Sequence, residues 1–196
     1  MNVFLKTMLK RWKLVLVSLA GLFVFSVAVG VSGAYVLAAT STEEFCVSCH
    51  EMSYNFVEYK GTIHDTNRTG VRAICTNCHV PHEPLDLIKR KIQATGELYH
   101  HFVTGSIDTR EKFLARRYEL ATHVWKRMKE TDSHECRNCH KEEKMNLELQ
   151  TAKAKLRHAK GKAEGLTCID CHFAIAHKEP EGPGPRELFG PPETKP

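Results

Sequence analysis

All eight cysteines of this 196-residue chain lie in four copies of one five-residue motif, C-x-x-C-H. The copies read CVSCH, CTNCH, CRNCH and CIDCH. The motif predicts covalent attachment of c-type haem, because each thiol can add to a vinyl group of the porphyrin while the adjacent histidine lies under the iron. The predicted attachment residues are Cys46, Cys49, Cys75, Cys78, Cys136, Cys139, Cys168 and Cys171, and the motif histidines are His50, His79, His140 and His172.

Two other uses of cysteine fit this pattern less well. A structural zinc site can pair C-x-x-C knuckles, but the histidine that follows each second cysteine then has no role. A disulfide framework needs cysteines at varied spacing, and no cysteine lies outside the four motifs. The sequence therefore predicts four covalently bound haem c groups. Haem propionates offset much of the formal charge of +5, so the basic composition does not argue for nucleic-acid binding.

The segment before the first motif predicts a membrane anchor. No residue from Leu14 to Thr42 is charged, and a helix of this length can cross a hydrocarbon core about 30 Å thick. Lysine and arginine concentrate in residues 1–13, which are predicted to stay in the cytoplasm while residues 14–39 cross the bacterial inner (cytoplasmic) membrane once. Residues 40–180 then form a periplasmic domain. A cleavable signal peptide is the alternative, although its apolar region usually has only about 7–15 residues.

The sequence after the anchor predicts a mainly α domain with much loop, folded around its haems. It has little apolar sequence for a core of its own, and covalently fixed porphyrins can supply that apolar bulk. Residues 85–131 contain two stretches with helical apolar periodicity, which predict two helices. The apolar stripe of the first stretch consists of Ile88, Ile92, Tyr99 and Phe102. That of the second consists of Phe113, Leu120, Val124, Trp125 and Met128. Residues 181–196 are rich in Pro and Gly and predict a flexible tail.

Histidines outside the motifs repeat in a pattern that indicates second iron ligands. The order motif–His–motif–His occurs twice along the chain, which predicts two duplicated dihaem units at about residues 43–84 and 133–178. The predicted distal ligands are His64, His82 and His177, with His158 as the fourth. The others have no counterpart and are predicted to lie at the surface or to contact propionates: His100, His101, His123 and His134.

The first motif differs from the other three in the residues after it. It continues as CVSCHEM, which places Met52 two residues after His50. Methionine can be an axial ligand of haem iron and raises its reduction potential. The alternative is a methionine packed on the porphyrin edge, and the sequence leaves both open.

Four segments in this order behind an N-terminal anchor, STEEFCVSCHEM, NRTGVRAICTNCHVPHEP, SHECRNCH and CIDCHFAIAHK, resemble the NapC/NirT family of membrane-anchored tetrahaem quinol dehydrogenases. The similarity runs from the anchor to about Lys178, and the NapC branch, which feeds periplasmic nitrate reductase, is the most similar. The resemblance implies oxidation of a membrane quinol, either menaquinol or ubiquinol. It also implies a periplasmic reductase as electron acceptor, nitrate reductase being favoured, in anaerobic nitrate respiration or denitrification.

The resemblance also implies ligand assignments. The first haem of such proteins is typically high-spin, and His50 and Met52 are alternative ligands on its iron. By position, the distal ligands of the second, third and fourth haems are His177, His64 and His82, and by symmetry His158 faces the first.

A quinol pocket carries over from the resemblance as Lys91 and Glu97, where relatives often carry Asp at the second position. Quinol oxidation releases protons, which an acid with a raised pKa or a cationic hydrogen-bond donor can accept or guide. Without the resemblance, these two residues are typical of a solvated helix face.

Three functions remain for comparison. The leading prediction is an electron-transfer protein that acts on quinol as a dehydrogenase. A passive electron-transfer wire without its own quinol site shares every haem feature. A catalytic nitrite or hydroxylamine reductase needs an open iron in a substrate funnel and often a modified attachment motif, whereas these four motifs are ordinary. The stretch GVSGA in the anchor offers small residues for helix pairing, so a homo-oligomer is an alternative to a monomer.

Overall fold

The computed structural model describes the backbone of residues 2–190, with the side chains of residue 8 and residues 10–190. The chain divides into two compact units, Met1–Ser41 and Thr42–Pro196. The described residues are helical with long connecting loops, and no strand occurs among residues 2–190. The prediction of a mainly α chain with one N-terminal apolar helix is therefore confirmed.

The first unit is a single helix, α1 (Asn2–Ala39). Its segment Lys10–Ala39 is long and apolar enough to cross a membrane, since 30 residues of helix extend for about 45 Å. The helix end is satisfied by hydroxyl groups, because Thr40 Oγ1 donates to the Val36 carbonyl at 2.8 Å and Ser41 Oγ donates to the Leu37 carbonyl at 2.7 Å.

The second unit consists of short helices around two longer ones. The longer helices are α5 and α6, and α5 continues directly into a five-residue π-helix. In chain order the elements are α2 (Glu43–Val47), α3 (His50–Tyr59), α4 (Cys75–His79), α5 (Pro84–Tyr99), the π-helix (His100–Thr104), α6 (Arg110–Glu130), α7 (His134–Cys139), two 3₁₀ turns (Glu142–Lys144 and Leu147–Leu149), α8 (Ala152–Ala163), a 3₁₀ turn (Cys168–Asp170) and α9 (Pro185–Phe189).

The apolar core of the second unit is small and lies along α6. Trp125 and Met128 of α6 are buried against Ile169, and the Trp125 and Phe173 ring centroids are 5.4 Å apart. Much of the predicted stripe of α5 is exposed instead, including Ile92 at 65%. So small a core is expected where covalent cofactors supply apolar bulk.

The end of the chain differs from the predicted flexible tail. Residues 185–189 form α9, Pro185 is buried, and the Tyr118 hydroxyl donates to the Pro183 carbonyl at 3.0 Å. Phe189 packs against the core cluster on α6. Proline is compatible with the first helical turn, and the burial of Pro185, the Tyr118 hydrogen bond and the Phe189 contact together fix this short helix. Residues 191–196 of the predicted tail lie outside the described residues.

The two halves of the second unit are interleaved. The backbone N–H of Lys178 donates to Glu58 Oε2 at 2.9 Å, and the His177 ring lies 3.2 Å from the Asn55 carbonyl. The end of the second half therefore lies on α3 in the first half. The predicted dihaem duplication does not correspond to two separate bodies, because Thr42–Pro196 is one compact unit.

Candidate haem centre

The second, third and fourth C-x-x-C-H motifs each form about one helical turn, whereas the first spans the break between α2 and α3, with Cys49 in an extended conformation. The second motif is α4 itself, the third ends α7, and the fourth begins the last 3₁₀ turn. In the third motif the His140 N–H donates to the Cys136 carbonyl at 2.8 Å, and in the fourth the His172 N–H donates to the Cys168 carbonyl at 2.9 Å. Because residues three and four apart share one helix face, both thiols and the histidine of a motif can meet one porphyrin.

The eight cysteines, all within the described residues, are free thiols. A disulfide framework is therefore not formed. Free thiols at this spacing fit the donor set that haem c attachment requires.

Three motif histidines face a second histidine at a common distance. The ring centroids are 6.2 Å apart for His64 and His140, 6.1 Å for His79 and His177, and 6.2 Å for His158 and His172. An imidazole nitrogen lies about 2 Å from a bound metal, so one metal held between two such rings separates their centroids by about 6 Å. The residues therefore fit an iron held on both faces by imidazole.

Two of these pairs join the residues expected from the family resemblance, and the third differs. His177 lies opposite His79 of the second motif, and His64 opposite His140 of the third. His158 lies opposite His172 of the fourth motif, whereas the resemblance and symmetry gave it to the first.

The local backbone explains the position of His158. Helix α8 ends shortly after it, and Gly165, at φ 67°, reverses the chain into the fourth motif. The Leu166 N–H closes this turn on the Gly161 carbonyl at 2.9 Å. His82, assigned by position to the fourth haem, is exposed, and the ring contacts of the four motif histidines within residues 2–190 do not include it.

The first motif has a different arrangement. His50 begins α3, and its ring centroid lies 5.6 Å from that of His101 in the π-helix. The buried carboxylate of Glu51 hydrogen-bonds His101 Nδ1 and lies 3.7 Å from His50 Nδ1. Met52, the alternative ligand, is 37% exposed. The sequence repeat gave no role to His101, because this residue has no counterpart in the second half.

Burial favours the neutral form of several paired imidazoles. Desolvation, with His177 and Arg127 acting in the same direction, lowers the pKa of His79 to about 3. Burial also lowers the pKa of His177 and of His172. Neutral imidazole is the form that binds metal, so these surroundings suit iron ligation.

The motif segments contact one another in chain order. Helix α2, beside the first motif, packs on α4, and α4 packs on α7. The third and fourth motifs are joined by the Ile169 N–H, which donates to Ser133 Oγ at 3.1 Å. The protein thus places its four attachment segments as a continuous series.

The predicted quinol-pocket residues, Lys91 and Glu97, lie on α5, and their charges influence the Cys46 thiol of the first motif. The positive charge of Lys91 and the negative charge of Glu97 both reach the Cys46 thiol, whose pKa is lowered to about 7, chiefly by a hydrogen bond with Cys75. Burial lowers the pKa of the Lys91 ammonium, opposed by Cys46. The sequence reasoning did not include Arg90, whose guanidinium pairs with Glu97 Oε1 at 2.7 Å.

These features define the class of protein. Four haem-attachment segments with facing histidines, in a chain that also carries an N-terminal apolar helix, define a multihaem c-type cytochrome suited to membrane anchoring. The profile of the NapC/NirT cytochrome c family, N-terminal region, matches residues 8–182. The chain belongs to this family, and it is an electron-transport protein with covalently bound haem.

Three relatives illustrate the similarity. The chain is 48% identical to "Denitrification system component NirT" of Stutzerimonas stutzeri over 170 residues, covering 84% of each chain. It is 51% identical to "Cytochrome c-type protein NapC" of Haemophilus influenzae, over 79% of this chain and 76% of the relative. It is 45% identical to "Cytochrome c-type protein TorY" of Escherichia coli O157:H7, over 82% of this chain but only 46% of the relative. No solved structure matches the chain.

Proposed function

We propose that this protein is a tetrahaem membrane-anchored cytochrome that oxidises a membrane quinol and passes the electrons to a periplasmic reductase. What supports it best is that Lys91 and Glu97 of α5 lie near enough to the first attachment motif for their charges to influence the pKa of the Cys46 thiol. When bound, each haem supplies a one-electron redox centre. The contacts between successive motif segments support a path that follows the chain order from the first motif to the fourth.

The chain's own residues would hold the irons in defined pairs. The three facing pairs support His64, His177 and His158 as distal ligands, opposite the motif histidines of the third, second and fourth sites. His82 stays a candidate from the sequence repeat alone. His50 and Met52 stay the alternatives on the motif side of the first iron.

Quinol oxidation releases protons as well as electrons, and the α5 residues are suited to this. The half-buried Lys91 ammonium can donate a hydrogen bond to a quinol oxygen, and its lowered pKa makes the neutral, proton-accepting form more accessible. The Glu97 carboxylate is held by Arg90 and stays half exposed, with a side-chain exposure of 50%. A proton accepted from quinol can therefore pass to solvent along α5.

The membrane topology is proposed from the basic N-terminus, and the electron acceptor is proposed from the names of the relatives. The basic N-terminus supports a cytoplasmic start and a haem domain in the periplasm, on the far side of the bacterial inner membrane. Relatives named NapC and "Denitrification system component NirT" support a reductase of nitrate respiration or denitrification as acceptor, nitrate reductase being favoured. The alternative is a passive wire, which needs no residues at a quinol pocket.

The deciding experiment uses the whole oxidised protein in detergent. A reduced water-soluble quinol analogue is added anaerobically, and the haem α-band is followed with and without a quinol-site inhibitor. Prompt reduction that the inhibitor blocks supports quinol oxidation. Reduction by dithionite but not by the quinol supports the passive wire.

A further inference from the structure

We propose that His101 is the distal axial ligand of the iron bound at the first motif, and that Glu51 is the residue that positions it. The family resemblance gave this iron no distal histidine from the π-helix, and the sequence repeat left His101 at the surface. The inference depends on haem attachment at Cys46 and Cys49. It does not depend on quinol as the electron donor.

The first argument is the pairing of motif histidines. In the second, third and fourth motifs the motif histidine faces a histidine from elsewhere in the chain at 6.1–6.2 Å. The corresponding partner of His50 is His101, at 5.6 Å with an angle of 55° between the ring planes. His101 therefore occupies at the first motif the place that His64, His177 and His158 occupy at the others.

The second argument is the buried carboxylate beside the two rings. Glu51 is 2% exposed, and its Oε1 hydrogen-bonds His101 Nδ1, which leaves Nε2 of His101 available to a metal. Its other oxygen, Oε2, is buried without a hydrogen bond and lies 3.7 Å from His50 Nδ1. Metal-binding histidines commonly donate their second N–H to a carboxylate, which fixes the ring orientation. The buried carboxylate can therefore orient the His101 ring.

The third argument is the backbone that carries His101. Helix α5 changes at His100 into the π-helix His100–Thr104, which ends at Gly105 in a left-handed conformation with φ 55°. Single π turns inside or beside α-helices occur frequently at functional sites. The neighbouring His100 is directed elsewhere, with Nδ1 at 3.2 Å from Thr104 Oγ1 and 3.3 Å from Ser106 Oγ. The π turn thus separates one histidine that meets the first motif from one that does not.

The other candidates fit the distal position less well. Met52 is the alternative to His50 on the motif side of this iron, so it does not compete with His101 for the distal side. His82 is exposed and makes no ring contact with His50 in the described part of the chain. His101, at 25% side-chain exposure, is the more enclosed residue.

The test is electron paramagnetic resonance of the whole oxidised protein in detergent. We expect the parent protein to show low-spin ferric signals only. His101→Ala should convert one of the haem irons to a high-spin signal and leave the others low-spin, which also reports that the protein has folded. Added imidazole should restore the low-spin spectrum of this variant and leave the parent unchanged. His100→Ala, on the same π-helix, is the matched control and should keep the parent spectrum.

Further variants separate ligation from a structural role. Glu51→Gln keeps the side-chain size, and we expect it to give a mixture of high-spin and low-spin signals from one iron. The proposal is overturned if the parent already contains a high-spin iron that His101→Ala does not alter, or if His101→Ala stays fully low-spin. Quinol-driven reduction is measured on the same preparations, so a failure of the proposed donor is seen independently of the spin state.

Discussion

Glu58 of α3 and Arg117 of α6 form a two-point ion pair that joins distant parts of the haem domain. Arg117 Nη1 donates to Glu58 Oε1 at 2.7 Å, and Nη2 donates to Oε2. The same guanidinium donates to the Lys178 carbonyl at 2.8 Å, and Glu58 accepts the Lys178 N–H. This network holds the segment that carries His177 against α3, and it therefore fixes the ring that faces His79.

Removing the carboxylate charge should destabilise the domain. Glu58→Gln leaves the Arg117 guanidinium, whose side chain is 15% exposed, without its ionic partner. We expect a loss of about 2 kcal/mol in the free energy of unfolding, less than for a fully buried pair because solvent still reaches the site. Glu119→Gln breaks the exposed Arg116–Glu119 pair and should change the free energy of unfolding little. Thermal unfolding followed by circular dichroism compares the two, and equal losses would refute the argument.

The contribution of this pair should also depend on pH. Burial acts to raise the pKa of Glu58, but the hydrogen bonds from Arg117 and the Lys178 N–H outweigh it, so the pKa is lowered. A carboxyl with a lowered pKa contributes its full stability above its unfolded pKa of about 4.3 and loses it as pH falls through the folded value. We expect the difference between parent and Glu58→Gln to be constant at neutral pH and to shrink below about pH 4. A difference that grows with acidity would contradict this sign.

Asp170 is a buried carboxylate within the fourth motif, and it joins this motif to α6 through an ion pair. Asp170 is 3% exposed, its Oδ1 pairs with Lys129 Nζ at 2.5 Å, and its Oδ2 accepts the Thr167 N–H at 2.8 Å. Asp170→Asn should cost about 3 kcal/mol, because it leaves the Lys129 ammonium without its ionic partner. Asp108→Asn, which breaks the exposed Lys112–Asp108 pair, is the control and should change little. Denaturant unfolding of both variants measures the difference.

The quinol pocket predicts a selective kinetic defect. Lys91→Gln or Glu97→Gln should slow quinol-driven haem reduction by roughly 10- to 100-fold, since a positioned proton acceptor contributes about this much or more. Reduction by dithionite should stay unchanged, because it needs no pocket. Lys89→Gln, at an exposed position on the same helix, is the matched control. If all variants are reduced by quinol at the parental rate, these residues do not belong to the site.

The histidine pairing predicts which distal residues affect spin state. His158→Ala should create one high-spin iron, because its ring faces His172 at 6.2 Å. His82→Ala should not, since this exposed residue makes no ring contact with a motif histidine among the described residues. Optical and magnetic resonance spectra of the two oxidised variants distinguish them. The opposite result would restore the assignment of His82 to the fourth iron.

Local sequence signals predicted much of this fold because they act over short distances. The motif spacing alone predicted the eight attachment cysteines, and the uncharged run after Leu14 predicted the apolar helix that the structure contains. The pairing of His158 with His172 depends on a chain reversal at Gly165, which histidine spacing alone does not specify. The cluster of Glu51 and His101 joins residues 50 positions apart through a π turn, and no local pattern predicts that contact. The ordering of α9 depends on tertiary contacts of a Pro- and Gly-rich stretch with Tyr118 and the core on α6, which its composition does not indicate.

The interleaving of the two halves of the second unit has a consequence for the maturation of the protein. The proposed attachment at each motif needs only residues that are local in sequence, so the proposed thioether bonds could form one after another along the chain. The facing histidines are different, because His140 pairs with His64 and His79 pairs with His177 near the end of the domain. The early segments can therefore reach their final packing only after the last motif has been made. Chains shortened before His177 should bind haem covalently at the earlier motifs but be more sensitive to proteolysis than the full chain.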